Sequence, residues 1–454
     1  MIVNPWDNSI VGRVSLASES DANEAVEKAL SGFRKTRELS SFERSEILFS
    51  ICNQLKQRKE EFAQLITAEV GKPIQWSRVE VERSFGTFQL AGEEAKRIEG
   101  DSIPLDLNAA TKGKFGIVRR FPIGIVLCIA PFNFPLNLVA HKAAPAIAAG
   151  NSFILKPPPQ APLTSLLLGE LIEKSGFPKD AYSILPCSNA VAEKLVTDER
   201  IKMLSFTGSP HVGWQLKAKA GKKKVLLELG GNAGVIIDKT ANIEEAVKKN
   251  VIGSFLFAGQ VCIKVQRIYV QDVIVDSYRE KFVQATRGVA SGDPRNAATV
   301  MGPLIDDTSA DRVSQWVGDA VNQGTKILAG GGRKGRVIEP TVLENVPRTA
   351  NVFYKEIFGP VVTLHKFATI QEAVAGINDS SFGLQAAIFS NDLQNILYAY
   401  NNIDVGAVIV NDNPTFRIDS MPYGGIKDSG FGREGLRYAI GEMTEPKLLV
   451  VGLS

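Results

Sequence analysis

The chain has 454 residues, of which 44% are hydrophobic and 22% charged, with a net charge of +3. That length exceeds one ordinary core and predicts two or three domains. The near-neutral charge gives no argument for a nucleic-acid or membrane partner, and Lys222-Lys223-Lys224 reads as a solvated turn. Cys52, Cys128, Cys187 and Cys262 are spread without a CxxC pair, which fits a reducing, cytoplasmic compartment. With only His141, His211 and His365 beside them they make no recognisable zinc set, so no metal is expected. The first residues carry neither a basic nor an apolar signal region, and no window approaches about twenty uninterrupted apolar residues.

The first hundred residues read as helical. Asp21-Ala22-Asn23-Glu24 has the form of a capping box, followed by Val26, Ala29, Leu30 and Phe33 on one face. Ser40 with Glu43 opens a second helix, and Gly71 with Pro73 marks a stop. From about residue 115 strand-length apolar runs alternate with helical stretches. Strands are predicted at 124–130, 152–156, 182–185 and 203–206, with helices at 136–149 and 162–175. A second alternating region runs from about 231 to 425, with strands at 233–237 and 266–270. The fold class is therefore α/β: two tandem open parallel-sheet domains with helices on both faces. Residues 101–122 read as an extended arm, and 447–452 as an apolar terminal strand that needs a pairing partner. Residues 330–335 match GxGxxG, but Val337-Ile338-Glu339-Pro340 cannot open a helix, so they are read as a turn.

Phe257-Ala258-Gly259-Gln260-Val261-Cys262 follows Glu228-Leu229-Gly230-Gly231, with Glu228 thirty-four residues before Cys262. A thiolate can hold an acyl group, and a carboxylate can activate the water that releases it. Taken alone, Cys262 is weak evidence, since a lone cysteine is more often a small buried hydrophobe. Phe206-Thr207-Gly208-Ser209-Pro210-His211-Val212-Gly213 ends a strand and opens a helix, a place for a phosphate. Pro131-Phe132-Asn133-Phe134-Pro135 stiffens a turn around Asn133, whose amide can donate to an oxyanion or satisfy the turn itself. Lys156 ends the second strand as a cationic donor. Glu356 stands beside Phe358, a carboxylate for a ribose diol and a ring for a nicotinamide face.

Taken together, these motifs and Pro422-Tyr423-Gly424-Gly425-Ile426-Lys427-Asp428-Ser429-Gly430 resemble the aldehyde dehydrogenase superfamily along essentially the whole chain. The resemblance implies an NAD(P)-dependent oxidation of an aldehyde to its acid. Cys262 attacks the carbonyl, Asn133 and the Cys262 N–H hold the oxyanion, Glu228 activates the hydrolytic water and Lys142 helps relay protons. It implies a dinucleotide site of Pro131, Phe132, Lys156, Pro159, Gly208, Ser209, Gly213, Leu229, Glu356 and Phe358. It also implies a dinucleotide-binding domain of residues 1–100 and 123–230, a catalytic domain of 231–428, and an oligomerisation arm of 101–122 and 429–454 in a homodimer or homotetramer.

The chain departs from the family in two places. Pro159 stands where many NAD-specific members have a glutamate that repels a 2′-phosphate, so either NAD or NADP is admitted. The substrate funnel is expected to include Arg83, Asn137, His141, Val261, Ile263, Arg417 and Tyr423. An arginine there suits a short aldehyde bearing an anion or several hydroxyls. Met421-Pro422-Tyr423-Gly424-Gly425 and Gly432-Arg433-Glu434-Gly435 resemble the lactaldehyde and non-phosphorylating glyceraldehyde-3-phosphate dehydrogenase branch. Val261 replaces the arginine that the latter carry before the cysteine. A CoA-acylating relative is the alternative, which the carboxylate at Glu228 argues against. A non-catalytic protein on the same scaffold is the remote one, which intact Cys262, Glu228 and Asn133 argue against.

Overall fold

The computed structural model describes residues 1–452. Four helices, Glu19–Thr36, Ser41–Gln57, Lys59–Val70 and Ile74–Glu94, open the chain. The first begins three residues ahead of the expected box: Ser18 is the N-cap, its hydroxyl accepting from the Asp21 N–H while the Asp21 carboxylate accepts from the Ser18 N–H. Asp21 is thus the third residue of the helix rather than its cap, because a serine hydroxyl reaches the N3 amide as well as a carboxylate does. The Ser40–Glu43 box forms as expected, and Gly71 ends the third helix in the left-handed conformation at φ 66°.

Two parallel sheets follow. In the six-stranded sheet the order is 430–431, 224–228, 201–207, 125–129, 152–156, 182–184, parallel except for the first edge. Strand Ile125–Ile129 lies in the middle, with the next two strands of the chain on one side and the following two on the other. The connections diverge between it and Ile201–Thr207, which opens a crevice at their carboxyl ends. Both the Asn133 turn and the Gly208 turn leave from that crevice. The second, seven-stranded sheet has the order 326–329, 341–344, 361–367, 265–271, 233–237, 385–389, 407–410, with one antiparallel edge. Strands Ile125–Ile129, Ser152–Lys156, Ala233–Ile237 and Gln385–Phe389 are fully buried, so they read as largely apolar runs without alternation. Residues 333–334 and 337–338 pair as a hairpin, so the GxGxxG match is a turn.

Residues 101–104, 114–122 and 444–452 form a separate three-stranded antiparallel sheet. The expected arm of 429–454 divides here. Gly430–Phe431 pair with the strand Lys224–Glu228, and Leu436, Ile440 and Met443 enter the core of the first domain. Apolar side chains at helical spacing draw that stretch inward, and only the strand Thr444–Gly452 lies on the arm. Among the described residues no helix is long and apolar enough to cross a membrane.

Candidate active site

The Cys262 loop is built on backbone that L-residues rarely adopt. Phe257, Ala258 and Gly259 stand in succession at φ 50°, 53° and 68°. A non-glycine residue there costs about 1–2 kcal/mol, so packing must hold Phe257 and Ala258 in place. Both are fully buried, and Gln260 is anchored by its side chain to the Phe257 and Pro303 carbonyls and the Ile305 N–H. Asn133 Nδ2 donates to the Gln260 carbonyl at 3.0 Å, tying the turn after Ile125–Ile129 to the cysteine loop. Among the described residues the Cys262 N–H has no hydrogen-bond acceptor. Val261 and Ile263 flank the thiol in a small apolar cluster with Leu384 and Tyr423.

Gly230 and Gly231 explain why the carboxylate motif carries two glycines. A Cβ on Gly230 would fall 2.2 Å from the Glu356 carboxylate, and one on Gly231 would fall 2.3 Å from the Cys262 carbonyl. Glu356 accepts from the Gly231 N–H at 3.0 Å, and burial pushes its carboxyl up to about 7. The Gly-Gly pair is therefore the seam along which the strand after Glu228, the Glu356 loop and the cysteine loop meet.

Glu228 itself is buried, and neither carboxylate oxygen has a hydrogen-bond partner. Burial pushes its pKa well up, as does the Glu434 carboxylate, against the opposing pull of Arg417, Lys142 and Arg433. The Cys262 thiol is pushed up to about 11, first by burial. A Tyr423 hydroxyl 3.3 Å from Sγ works in the other direction, and Glu356 and Glu228 raise it further. The resting sulfur is a thiol.

Behind these groups lies a buried ionic chain. Lys142 donates to Glu434 Oε1 at 3.0 Å and to Ser205 at 3.2 Å. Arg417 donates to Glu434 Oε2 at 3.0 Å, lies 3.6 Å over the Tyr423 ring, and leaves its Nε without a partner. His141 Nδ1 accepts from Arg417 at 3.4 Å, and its Nε2 lies 3.0 Å from Asp419. Asp419 also takes Arg83 at 3.3 Å and the Thr87 hydroxyl at 2.5 Å. Burial and Arg417 hold His141 neutral. Despite burial, His141, Arg83 and Thr87 keep Asp419 well below the usual carboxylate range. Lys142, Arg417 and Arg83 thus face the carboxylates of Glu434 and Asp419.

The sequence pointed to most members of this set but not to Asp419 or Glu434. Glu434 stood in the glycine-flanked Gly432-Arg433-Glu434-Gly435, where its spacing was the only available signal. Asn137 is buried and its amide donates to Thr87 at 3.1 Å, so it braces the helix Ile74–Glu94 rather than facing open space. Arg417 is an internal salt-bridge partner as well as a neighbour of the thiol through Tyr423.

The dinucleotide candidates gather at the first sheet's carboxyl edge. Lys156 ends its strand buried, with no hydrogen-bond or ion-pair partner among the described residues. Ser209 is the N-cap of helix Pro210–Lys219 and its hydroxyl makes no cap bond. Gly213 lets that helix close on Leu229, whose side chain would lie 2.4 Å from an added Cβ. The Phe132 and Phe358 rings meet edge to face at 6.1 Å, behind Pro131, and Pro159 is exposed beyond Lys156. An unpaired buried ammonium and a free cap hydroxyl at a helix N-terminus fit the ribose and phosphates of a dinucleotide.

The fold and site define a two-sheet enzyme with a cysteine–carboxylate centre. The chain matches the aldehyde dehydrogenase family over residues 1–449 and belongs to it. It is thus an oxidoreductase acting on aldehydes. It is 42% identical over 453 residues to 3-sulfolactaldehyde dehydrogenase of Priestia aryabhattai, covering all of this chain and 94% of the relative. Its structure superposes with a TM-score of 0.98 on aldehyde dehydrogenase 21 of Physcomitrella patens in complex with its reaction product succinate, at 46% identity over 99% of this chain and 94% of that one. On glyceraldehyde-3-phosphate dehydrogenase of Methanocaldococcus jannaschii complexed with NADP the TM-score is 0.96, at 39% identity over 100% and 98%. The resemblance read from the ordered motifs is borne out.

Proposed function

We propose that this enzyme oxidises a short aldehyde carrying an anionic group to its acid, with NAD or NADP. The observation that carries the substrate class is the pair of guanidinium groups, Arg83 and Arg417, in the ionic chain that reaches the thiol through Tyr423. A guanidinium fork suits a carboxylate, sulfonate or phosphate. The similar enzymes fit: their names carry a sulfonate, a carboxylate product and a phosphate.

The thiol of Cys262 adds to the aldehyde carbon. Its proton needs a base, and Glu228 is, with Glu356, one of two buried carboxylates whose charge reaches the sulfur; with Glu356 assigned to the dinucleotide, Glu228 takes that role. The oxyanion that forms is met by the Asn133 amide and the Cys262 N–H. Lys156, Ser209, Glu356 and Phe358 would hold the dinucleotide, which would supply the hydride acceptor. Oxidation leaves the acyl group on Sγ as a thioester. Glu228 then takes a proton from water, which attacks the thioester carbon, and the acid leaves with the thiol restored. Lys142 and Glu434, joined at 3.0 Å, carry the proton away from Glu228. Pro159 offers no carboxylate against a 2′-phosphate, which leaves NADP as well as NAD open to the site. The exposed edge strand Thr444–Gly452, with Leu448, Leu449 and Val450 in solvent, supports assembly as a homodimer or homotetramer.

The test is a panel of succinic semialdehyde, 3-sulfolactaldehyde, lactaldehyde and propanal with each dinucleotide, read by the absorbance of the reduced cofactor. Anionic aldehydes should have the highest kcat/KM. A preference for long aliphatic aldehydes would sink the anionic reading.

A further inference from the structure

Lys72 lies outside every group considered so far, yet it is fully buried. A buried ammonium is costly unless it is compensated on all sides. One side is Glu80, also buried, with which it forms an ion pair. The other Glu80 oxygen accepts from the backbone N–H groups of Leu136 at 2.9 Å and Asn137 at 3.1 Å. Those are the first donors of helix Asn137–Ala149, which has no side-chain cap of its own. The remaining compensation comes from two aromatic rings. Lys72 Nζ lies 3.7 Å from the centroid of Phe134 and 4.7 Å from that of Phe257.

Those rings belong to the two loops that carry the oxyanion donors. Phe134 follows Asn133 directly. Phe257 is the first residue of the left-handed run before Cys262, and its strained φ of 50° needs a fixed ring. The loops touch directly through the Asn133–Gln260 bond. That single bond fixes one distance but not the angle between them. A cation seated between one ring from each loop supplies the second point of attachment, and Glu80 locks the same cation to the helix that follows Asn133.

We propose that Lys72 is a positioning residue: its ammonium, paired with Glu80 and seated between Phe134 and Phe257, sets the geometry of the Asn133 amide relative to the Cys262 N–H. The proposal rests on the reading of Cys262 and Asn133 given above. It predicts a defect confined to steps that build negative charge on the carbonyl oxygen. Reactions of the sulfur that form no oxyanion are spared.

The test uses the full chain with Lys72→Met and Glu80→Gln combined, since a glutamine at position 80 still accepts from Leu136 and Asn137 while no unpaired charge is left buried. Two rates are measured: the pre-steady-state burst of reduced cofactor with the best aldehyde of the panel, and alkylation of Cys262 by iodoacetamide without aldehyde. The expected result is a burst of full amplitude slowed about ten- to a hundredfold, the loss that a displaced oxyanion donor brings. Alkylation should stay within about twofold and aldehyde KM within about threefold of the parent, since the thiol and the funnel are untouched. A burst rate within about twofold of the parent overturns the proposal, and so does a fall of alkylation in step with the burst, which would mean general loosening. Should the double variant fail to fold, Phe257→Leu, which keeps the bulk and removes the ring face, is put through the same two measurements with the same criteria. Cys262→Ser and Asn133→Ala run alongside. An undiminished burst in either overturns the underlying reading, whereas loss in both with a normal burst in the Lys72 variant overturns this proposal alone.

Discussion

Glu228 is a carboxylate whose burial favours its neutral form, and that has a sign that can be checked. Burial and Glu434 raise its folded pKa well above the ordinary 4.5. Below that value both folded and unfolded chains hold the proton and the residue is neutral in its effect. As pH rises above it, the unfolded chain releases the proton first, so stability falls with pH until the folded group also ionises. Glu228→Gln should therefore raise Tm at pH 7.5, with the gain vanishing toward pH 4, as read by thermal melts. The same variant should slow the burst of reduced cofactor and slow later turnover further, because Glu228 takes the thiol's proton in one step and water's in the other. Equal slowing of both phases would place Glu228 in thiolate formation alone. The arginines differ in the same concrete way. Arg417 holds Glu434 and covers Tyr423, so its loss should slow every aldehyde. Arg83, with a side chain 30% exposed and tied to Asp419, is the cleaner probe. Arg83→Leu should lower kcat/KM for an anionic aldehyde about tenfold and leave propanal almost unchanged, the loss of one charge-assisted contact. An equal change for both substrates would make Arg83 structural.

Among the elements, the Gly-Gly seam after the strand Lys224–Glu228 is the least forgiving. Gly231→Ala places a methyl 2.3 Å from the Cys262 carbonyl, which is backbone and cannot rotate aside. The cysteine loop must shift, and a displacement of about 1 Å at the nucleophile costs on the order of a hundredfold in rate. The expected outcome is a strongly reduced burst rate with a lowered Tm. A normal burst would show that the loop has slack the packing does not reveal. The strand and helix positions in the first sheet were legible from apolar runs, because a fully buried parallel strand has no polar face to interrupt it. The first helix start was misplaced by three residues because Ser18 and Asp21 both have cap-forming side chains, and only the observed hydrogen bonds decide which one caps.

For the whole molecule, the three-stranded sheet of 101–104, 114–122 and 444–452 is the feature on which the proposed homo-oligomer rests. The strand Thr444–Gly452 pairs along one edge and leaves the other free, with Leu449 59% exposed. Leu449→Lys combined with Val450→Lys should shift the solution mass toward the monomer in light scattering, since edge lysines oppose strand pairing. The two catalytic-half sheets are buried elsewhere, so Tm should change little. An unchanged assembly would mean that the oligomer, if formed, uses another face.

The sequence by itself determined the α/β class and the two alternating regions, and it pointed to the cysteine–carboxylate–asparagine set and the dinucleotide anchors proposed above. Each of these is written locally, as an apolar run, a glycine-opened turn or a motif of six to nine residues. What only the tertiary structure decided is how distant polar groups answer one another. Asp419 and Glu434, near the C-terminus, organise Arg417 together with the distant Arg83, His141 and Lys142, and burial, with Glu434 behind it, raises the proton affinity of Glu228. Lys72, an unremarked residue between a glycine and a proline, proves to be seated between rings from two other loops. The physical reason is that charge interactions in a buried site depend on distance and desolvation, and neither has any periodicity along a chain.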